Sequence, residues 1–313
     1  MSNKPNILFV GEAMLELVTK DNATLGKSFA GDVFNTSVYM QRAFPQITTS
    51  FMTAIGTDKL SEEFYQSVLQ ENVDGTFIAR DPHHHMGAYM VVNDSDGERS
   101  FIYWRSDSAA KRLMSSLSTA ANDVNADAVF FSGITIAVLL PEERELFWQF
   151  IGKMRDKGST IIFDPNYRAR LWESVDVAKQ QMDIAFTLSD WCLPGLEDFG
   201  DLYGLDSIEQ CVSFSEKYKF DELIIKQGKN EVHIVNKSGH EINEIIASKN
   251  VVDTTSAGDA FNGIYLGARL TGQTTKNSTR FANYSASKVI ETPGAIMPAS
   301  AFEKAMVQWH ESN

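Results

Sequence analysis

Cysteine and long apolar runs are scarce in this chain. Its 313 residues include only two cysteines, Cys192 and Cys211, which cannot build a disulfide framework. Neither lies in a Cys-x-x-Cys or Cys/His spacing typical of zinc sites, so we expect two free thiols. The first apolar run, residues 7–10, is too short for a signal sequence or a membrane span. We therefore expect a cytoplasmic protein.

Positive charge is also in the minority. Lysine and arginine total 28 against 41 aspartates and glutamates, which gives a formal net charge of −13. Phosphate backbones and anionic membrane surfaces repel such a chain, so we expect neither nucleic acid nor membrane as a partner. The hydrophobic fraction of 43% excludes a disordered composition, and the length suits one large domain or two modest ones.

Short apolar runs recur along the chain and alternate with segments of helical periodicity. The runs comprise residues 7–10, 128–131, 160–163, 184–188 and 223–225. Strands that are apolar on both faces and alternate with helices are typical of a parallel sheet. One predicted helix covers residues 141–157 and stops at Gly158. Its apolar face would contain Leu146, Phe150 and Met154, which are spaced four apart. We predict an α/β fold with a doubly wound, mostly parallel sheet.

One stretch departs from this alternation and has the pattern of an antiparallel hairpin. Strand-like segments at residues 87–92 and 99–105 are separated by a turn-rich segment at 93–98. Alternation along the second strand places Phe101, Tyr103 and Arg105 on one face, with Ile102 and Trp104 on the other. An arginine among aromatic side chains indicates a binding surface. The alternative is a structural arginine at the edge of a sheet.

The strongest local signal is the segment 253–261, Asp-Thr-Thr-Ser-Ala-Gly-Asp-Ala-Phe, which leads directly into an apolar helix. In the first helical turn the N–H groups of Ala257, Gly258 and Asp259 lack intrahelical acceptors, and the helix dipole adds positive potential. This pattern is typical of an anion site, because the glycine lets a phosphate approach the backbone. Asp259 could accept a proton from an attacking hydroxyl. Alternatively, it is a surface carboxylate that complements the dipole.

Other polar residues follow predicted strands, which is where ligands bind in open α/β sheets. Arg168 follows one strand and either bridges anionic groups or belongs to an ordinary surface loop. Lys226 and Gly228 follow another strand and have the form of a phosphate contact. Asp32 and Asn35 lie at the start of a predicted helix, where they either cap it or bind a polyol.

Two nucleotide-binding motifs are missing from the sequence. Gly26-Lys27-Ser28 looks like the end of a Walker A loop, but Asp21 occupies the position of its first glycine. No Gly-x-Gly-x-x-Gly segment follows a strand. We therefore expect neither a P-loop nor a dinucleotide-binding fingerprint.

Together these segments resemble the PfkB, or ribokinase-like, family of sugar kinases over essentially the whole chain. Residues 253–261 are similar to the C-terminal signature of that family. Residues 29–35, Phe-Ala-Gly-Asp-Val-Phe-Asn, are similar to its N-terminal glycine signature, with Ala30 where a first glycine is usual. Ser256 likewise replaces a usual glycine or alanine.

The resemblance implies a ribokinase-like fold and a set of site residues. The fold would be one domain over residues 1–313, with a small antiparallel β lid formed by segments at about 12–32 and 86–106. Asp259 would be the general base, and Ala257, Gly258 and Asp259 the anion hole. The residues implied to line the sugar site are Gly31, Asp32, Asn35, Tyr89, Tyr103, Arg105 and Arg168. Those implied to face ATP are Asn166, Lys226, Gly228, Ser256 and Asn283.

The resemblance also implies cofactors and a substrate class. ATP and Mg²⁺ are the implied cofactors, and a monovalent cation such as K⁺ is left open. The metal ligands are unassigned, with Glu197 only a weak candidate. Within the family, three segments resemble the kinases that act on 2-keto-3-deoxygluconate, namely residues 11–17, 97–105 and 164–172.

An acidic six-carbon sugar and ATP would then meet beneath the lid, where the 6-hydroxyl would be phosphorylated. Arg105 suits the carboxylate of this sugar, which ribose and fructose lack. Two kinds of alternative remain. One is a kinase of fructose or another sugar, including the galactose-configured keto-acid; the other is a non-catalytic sugar-binding member of the fold. Exposed lid strands favour a homodimer or a higher homo-oligomer.

Overall fold

The computed structural model describes residues 4–19, 24–93, 99–245, 248 and 250–312. Its strands are β1 (Asn6–Val10), β2 (Met14–Thr19), β3 (Leu25–Ala30), β4 (Thr48–Ile55), β5 (Ile78–Arg80), β6 (Gly87–Asn93), β7 (Arg99–Trp104), β8 (Ala128–Ser132), β9 (Thr160–Asp164), β10 (Trp191–Cys192), β11 (Glu222–Gln227), β12 (Glu231–Asn236) and β13 (Gly239–Glu244). Its α-helices are α1 (Asp32–Ala43), α2 (Lys59–Gln70), α3 (Leu113–Leu117), α4 (Gly133–Val138), α5 (Pro141–Asp156), α6 (Val175–Leu188), α7 (Leu196–Tyr203), α8 (Ile208–Ser215), α9 (Ala257–Leu270), α10 (Thr275–Val289) and α11 (Ala299–Ser312).

Nine strands form a large sheet in the order β13-β12-β11-β10-β9-β8-β1-β4-β5. Pairing is parallel from β5 to β11 and antiparallel where β12 and β13 extend the sheet at one edge. Successive residues of β1 show why its apolar run is continuous: Ile7 and Phe9 belong to one core cluster, Leu8 and Val10 to the other. The strand is buried on both faces.

Helices cover both faces of this sheet. Side chains of α1, α2, α9, α10 and α11 pack in one core cluster, and those of α3 to α8 pack in the other. The doubly wound, mostly parallel α/β architecture predicted from the sequence is therefore confirmed. Both cysteines are buried and free, as expected. Within the described ranges, no helix is both long enough and apolar enough to cross a membrane.

Two local predictions were wrong. The apolar run at 184–188 is the last part of α6, and the strand lies just beyond it at β10. Burial of Met182, Ala185 and Phe186 follows the helical period, which a short apolar run does not reveal by itself. In α5 the buried apolar residues are Phe147, Phe150, Ile151 and Met154, whereas Leu146 is 42% exposed. The predicted stop is present, since Gly158 has a φ of +92°.

A second, four-stranded sheet has the order β3-β2-β6-β7, and we call it the lid sheet. The predicted hairpin is confirmed, because β6 and β7 pair antiparallel with Tyr89 opposite Tyr103. The tip of its turn, residues 94–98, lies outside the described residues. The pair β2–β6 is parallel, since the chain returns through the large sheet between β3 and β6. The strands of the lid sheet lie within the segments 12–32 and 86–106. The division of the chain into domains stays a prediction.

Candidate active site

Close contact between α1 and α9 positions the centre of the site. A Cβ atom on Gly263 of α9 would overlap the carbonyl oxygen of Thr36 in α1, so glycine lets the two backbones meet. The first turns of these helices consequently face each other. The Asn35 side chain of α1 reaches Asp259 of α9 across this contact.

Asp259 is held by two hydrogen bonds to the same carboxylate oxygen. The amide of Asn35 donates to Oδ2 over 2.9 Å, and the hydroxyl of Ser256 donates to Oδ2 over 2.7 Å. Burial raises the pKa of Asp259 to about 7, with a further increase from the negative charge of Asp32, while the two donors act in the opposite direction. A carboxylate that titrates near neutrality is suited to accept a proton from a substrate hydroxyl.

The N-terminus of α9 is open beside this carboxylate. Ala260 is bonded to Ser256 one turn back, over 2.9 Å, whereas Ala257 reaches only Thr254, over 3.4 Å. Gly258 is exposed, and a Cβ atom built on it would meet nothing within 4 Å. No protein contact therefore requires glycine at this position, and its N–H is accessible to an anion.

Asp164, at the end of β9, forms a cluster that the sequence analysis did not identify. Lys226 donates to its Oδ2 over 3.1 Å, and Asn262 of α9 donates to the same atom over 2.6 Å. Lys226 also donates to Asn262 over 3.1 Å. The sequence contains part of the information needed to predict this cluster. Asp164 begins a polar segment at the end of β9, and Asn262 lies one helical turn beyond Asp259.

Asp32 and Asn166, predicted to belong to the sugar and ATP sides, are in direct contact. The amide of Asn166 donates to Asp32 Oδ2 over 2.8 Å. Burial raises the pKa of Asp32, and hydrogen bonds from Ser132 and Asn166 oppose that shift. Gly31 is the N-cap of α1 and makes no side-chain cap hydrogen bond. Of the two capping candidates, Asn35 accepts a hydrogen bond from the Gly31 N–H at its Oδ1 over 3.3 Å, whereas the Asp32 carboxylate accepts one from Asn166.

The lid sheet carries a chain of polar and aromatic contacts. Tyr89 donates to Glu16 over 2.6 Å and stacks on Tyr103, with ring centroids 5.7 Å apart. Arg170, which follows β9, donates to the Tyr103 hydroxyl over 2.5 Å and lies 4.3 Å from its ring centroid. Burial raises the pKa of Tyr89, so that its hydroxyl stays protonated and donates. Arg170 thus joins the lid sheet to the large sheet, a role not predicted from the sequence.

The two arginines predicted to bind sugar have protein partners. Arg105 forms an ion pair with Glu12, and their side chains are 12% and 2% exposed. Glu12 also accepts a hydrogen bond from Ser108 over 2.6 Å. Arg168 donates to the carbonyl oxygen of Tyr167 over 2.8 Å. Arg105 is therefore anchored where the chain passes between the two sheets.

The two other residues expected at the ATP side lie on different parts of the fold. Gly228 follows β11 with a φ of +53° and open space around it, and Asn283 is half-buried on α10. Glu197, the weak metal candidate, is exposed, whereas its neighbour Asp198 is buried. Burial and the charge of Asp164 raise the pKa of Asp198 to about 7, against hydrogen bonds from the N–H groups of Tyr167 and Gly195.

A metal site built from protein alone is absent from the described part of the chain, where no group of three or more His, Cys, Asp or Glu side chains could hold an ion. Mg²⁺ commonly binds through one or two carboxylates together with substrate phosphates and water. Asp164, which is buried and close enough to act on the charge of Asp259, fits that second arrangement.

Known proteins are similar to this chain over nearly its whole length. Residues 4–301 match the model of the pfkB family carbohydrate kinases. A 2-dehydro-3-deoxygluconokinase of Escherichia coli K12 is 35% identical over 310 residues, covering 96% of this chain and 99% of the relative. One from Dickeya dadantii is 33% identical and covers 95% and 98%. The crystal structure of 2-dehydro-3-deoxygluconokinase from Thermotoga maritima superposes with a TM-score of 0.81 at 20% identity, covering 97% of this chain and 99% of that one. The chain belongs to the pfkB family of carbohydrate kinases and is a phosphotransferase.

Proposed function

We propose that this protein transfers the γ-phosphoryl group of ATP to the 6-hydroxyl of 2-keto-3-deoxygluconate, also called 2-dehydro-3-deoxygluconate. The relatives at 33–35% identity are named 2-dehydro-3-deoxygluconokinases, and they match this chain over nearly their whole length. The alternatives are a kinase of fructose or another sugar and a non-catalytic sugar-binding protein.

The observation that carries the proposal is the juxtaposition of Asp259 with the open N-terminus of α9. The bond that forms joins the 6-oxygen to the γ-phosphorus, and the bond that breaks joins this phosphorus to the oxygen bridging it to the β-phosphate. The hydroxyl proton goes to Asp259, and ADP leaves. Charge that develops on the transferred group would be stabilised by the N–H groups of Ala257, Gly258 and Asp259.

The sugar would lie between α1 and the inner face of the lid sheet. Its proposed contacts are Gly31, Asp32, Asn35, Tyr89, Tyr103, Arg105 and Arg168. Arg105 is already paired with Glu12, so it would meet the sugar carboxylate with the guanidinium N–H groups that this pair leaves over. A planar guanidinium has five donors, and Glu12 cannot accept all of them.

ATP would lie on the side of Asn166, Lys226, Gly228, Ser256 and Asn283. Mg²⁺ is part of the proposal, with K⁺ as an open addition. When bound with the nucleotide, Mg²⁺ would neutralise charge on the phosphates. Lys226 is ion-paired with Asp164 and would supply a fixed positive charge near the phosphates.

A homodimer through the outer face of the lid sheet and a cytoplasmic location belong to the same proposal. Ile102 and Trp104 alternate with the inward Tyr103 and are 44% and 53% exposed, and Leu25 on β3 is 52% exposed. Apolar strand faces of this kind are commonly covered by a second subunit. Sedimentation of the protein and of Trp104→Arg tests this, since a dimer would become a monomer.

The function is tested by measuring substrate-dependent ADP release with Mg²⁺ and a panel of sugars. The panel contains 2-keto-3-deoxygluconate, its galactose-configured isomer, fructose and ribose. The proposal expects kcat/KM to be highest for the first. Preference for fructose would replace it with the neutral-sugar kinase, and binding of sugar without ADP release would support the non-catalytic alternative.

A further inference from the structure

Ser256 contacts Asp259 through its side chain, yet its backbone conformation is one that disfavours any side chain. It is the N-cap of α9, and it lies in the left-handed region with φ 65° and ψ 10°. A side chain in this region carries a steric cost that glycine does not have. A serine at this position therefore needs a compensating contact.

That contact is the hydrogen bond from the Ser256 hydroxyl to Asp259. It runs to Oδ2 over 2.7 Å, and Asn35 donates to the same oxygen over 2.9 Å. Oδ1 receives neither of these bonds. The two carboxylate oxygens are thus made unequal: one is fixed by two protein donors, and the other is left to accept a proton.

We infer that Ser256 is a positioning residue, which together with Asn35 fixes Oδ2 of Asp259 so that Oδ1 takes the proton of the substrate hydroxyl. This inference rests on the proposed role of Asp259 as the base. It assigns the Ser256 hydroxyl to the carboxylate, so that only the backbone of Ser256 would face the nucleotide. Donation to the charged carboxylate also favours the ionised form, which holds the base ready at neutral pH.

Several titratable groups besides the neutral Ser256 hydroxyl interact with Asp259. Asp32 on α1 and Asp164 at the end of β9 raise its pKa, and Lys226 is paired with Asp164. The buried hydroxyls of Tyr39 on α1 and Tyr89 on β6 also interact with its charge. All of these groups are unchanged when Ser256 alone is substituted. A difference in the Asp259 pKa between the unsubstituted protein and its Ser256 variants is therefore caused by the loss of the Ser256 side-chain contact.

Two substitutions separate the hydroxyl from the backbone conformation. Ser256→Ala removes the hydroxyl and keeps a side chain in the left-handed region, whereas Ser256→Gly removes both. We expect the same rise in the Asp259 pKa in both variants, about one pH unit. The glycine variant should be the more stable one, with a Tm higher by about 2–4 °C. Lys219→Gly is the matched control, because exposed Lys219 also has a left-handed backbone, with φ 56°, but lies away from the site.

The readouts are ¹³C-carboxyl NMR titration of Asp259, assigned by its loss in Asp259→Asn, and the pH dependence of kcat/KM. With the pKa raised from about 7 by about one unit, kcat/KM of both Ser256 variants should fall about tenfold at pH 6 and stay close to the unsubstituted value at pH 9. KM for ATP should not change.

The titration decides the inference independently of the substrate. An unchanged Asp259 pKa in both variants overturns it, and so does a selective rise in KM for ATP, which would place the hydroxyl on the nucleotide. If instead the pKa rises as expected and no sugar is phosphorylated, the contact stands and the proposed function fails.

Discussion

Gly31 and Gly258 lie on two sides of the candidate site and differ in what requires glycine. A Cβ atom on Gly31 would overlap the carbonyl oxygen of Glu12, at the passage between the two sheets. A Cβ atom on Gly258 would meet nothing within 4 Å. The first glycine is required by the packing of the fold. The second has no such requirement, which agrees with the proposed contact between its N–H and the transferred phosphoryl group.

The same contrast holds for the charged residues of the two regions. At the passage, Glu12 and Arg105 neutralise each other in a buried pair. At the start of α9, Asp259 has no cation as a hydrogen-bond partner in the described structure, and burial and Asp32 raise its pKa to about 7. A carboxylate kept in an unfavourable environment is typical of a functional group, whereas a neutralised pair is typical of a structural one.

The largest expected effect follows from substituting the base. Asp259→Asn keeps the shape of the side chain but cannot accept the hydroxyl proton, so we expect kcat to fall on the order of 10²–10⁴. Binding of ATP, measured by calorimetry, should be nearly unchanged. Retention of kcat within about threefold, with chemistry shown to limit the rate, would contradict the assignment. Asp156→Asn, at an exposed position, is the control.

The two glycines provide a matched pair of substitutions. Gly258→Val should leave the protein folded with its Tm nearly unchanged and lower kcat on the order of 10², because the side chain crowds the transferred phosphoryl group. Gly31→Ala should instead destabilise the protein by about 1–3 kcal/mol through overlap with the Glu12 backbone. Thermal unfolding and ADP release, measured on both variants, test the contrast. Equal loss of stability in the two would remove the distinction.

Site residues that lie close together along the chain could be predicted from the sequence, whereas contacts between distant segments could not. The segment 253–261 contains both the proposed anion site and the proposed base, and its contiguous pattern was sufficient to predict them together. The Glu12–Arg105 pair joins distant segments, and strand periodicity gives the face of Arg105 but not what meets it. Lys226 was placed near phosphates, yet its partners Asp164 and Asn262 depend on how three elements pack.

Arg105 is paired with Glu12 between the two sheets and is also proposed to bind the sugar carboxylate. Substituting it tests both roles. Charge-assisted hydrogen bonds contribute roughly 1.5–3 kcal/mol, so Arg105→Ala should lower kcat/KM for 2-keto-3-deoxygluconate by roughly 10- to 150-fold. The loss should be much smaller for an analogue with a hydroxymethyl group in place of the carboxylate. Because Glu12 is then buried without its partner, stability should also fall by about 3 kcal/mol.

Glu12→Gln distinguishes the two roles of Arg105. It removes the charge that faces the guanidinium and leaves the arginine in place to meet the sugar. We expect this variant to keep the preference for the keto-acid over its neutral analogue. If Arg105→Ala lowers kcat/KM equally for both sugars, Arg105 only braces the passage between the sheets, and the keto-acid assignment loses its best physical support.

The smallest expected effect is on the free energy of unfolding, which the ionised Asp259 carboxylate lowers at neutral and higher pH. The folded-state pKa of Asp259, about 7, lies above its ordinary value of 3.8. Folding therefore favours the protonated carboxyl, and the contribution of this group to stability is complete below about pH 4 and is lost as pH rises through 7. Asp259→Asn should then stabilise the protein at pH 8 by on the order of 1–3 kcal/mol and leave it unchanged at pH 4. Thermal unfolding at the two pH values measures the difference, with Asp156→Asn expected to show none. A variant less stable at pH 8 than the unsubstituted protein would mean that the donors Asn35 and Ser256 more than offset the burial of the charge.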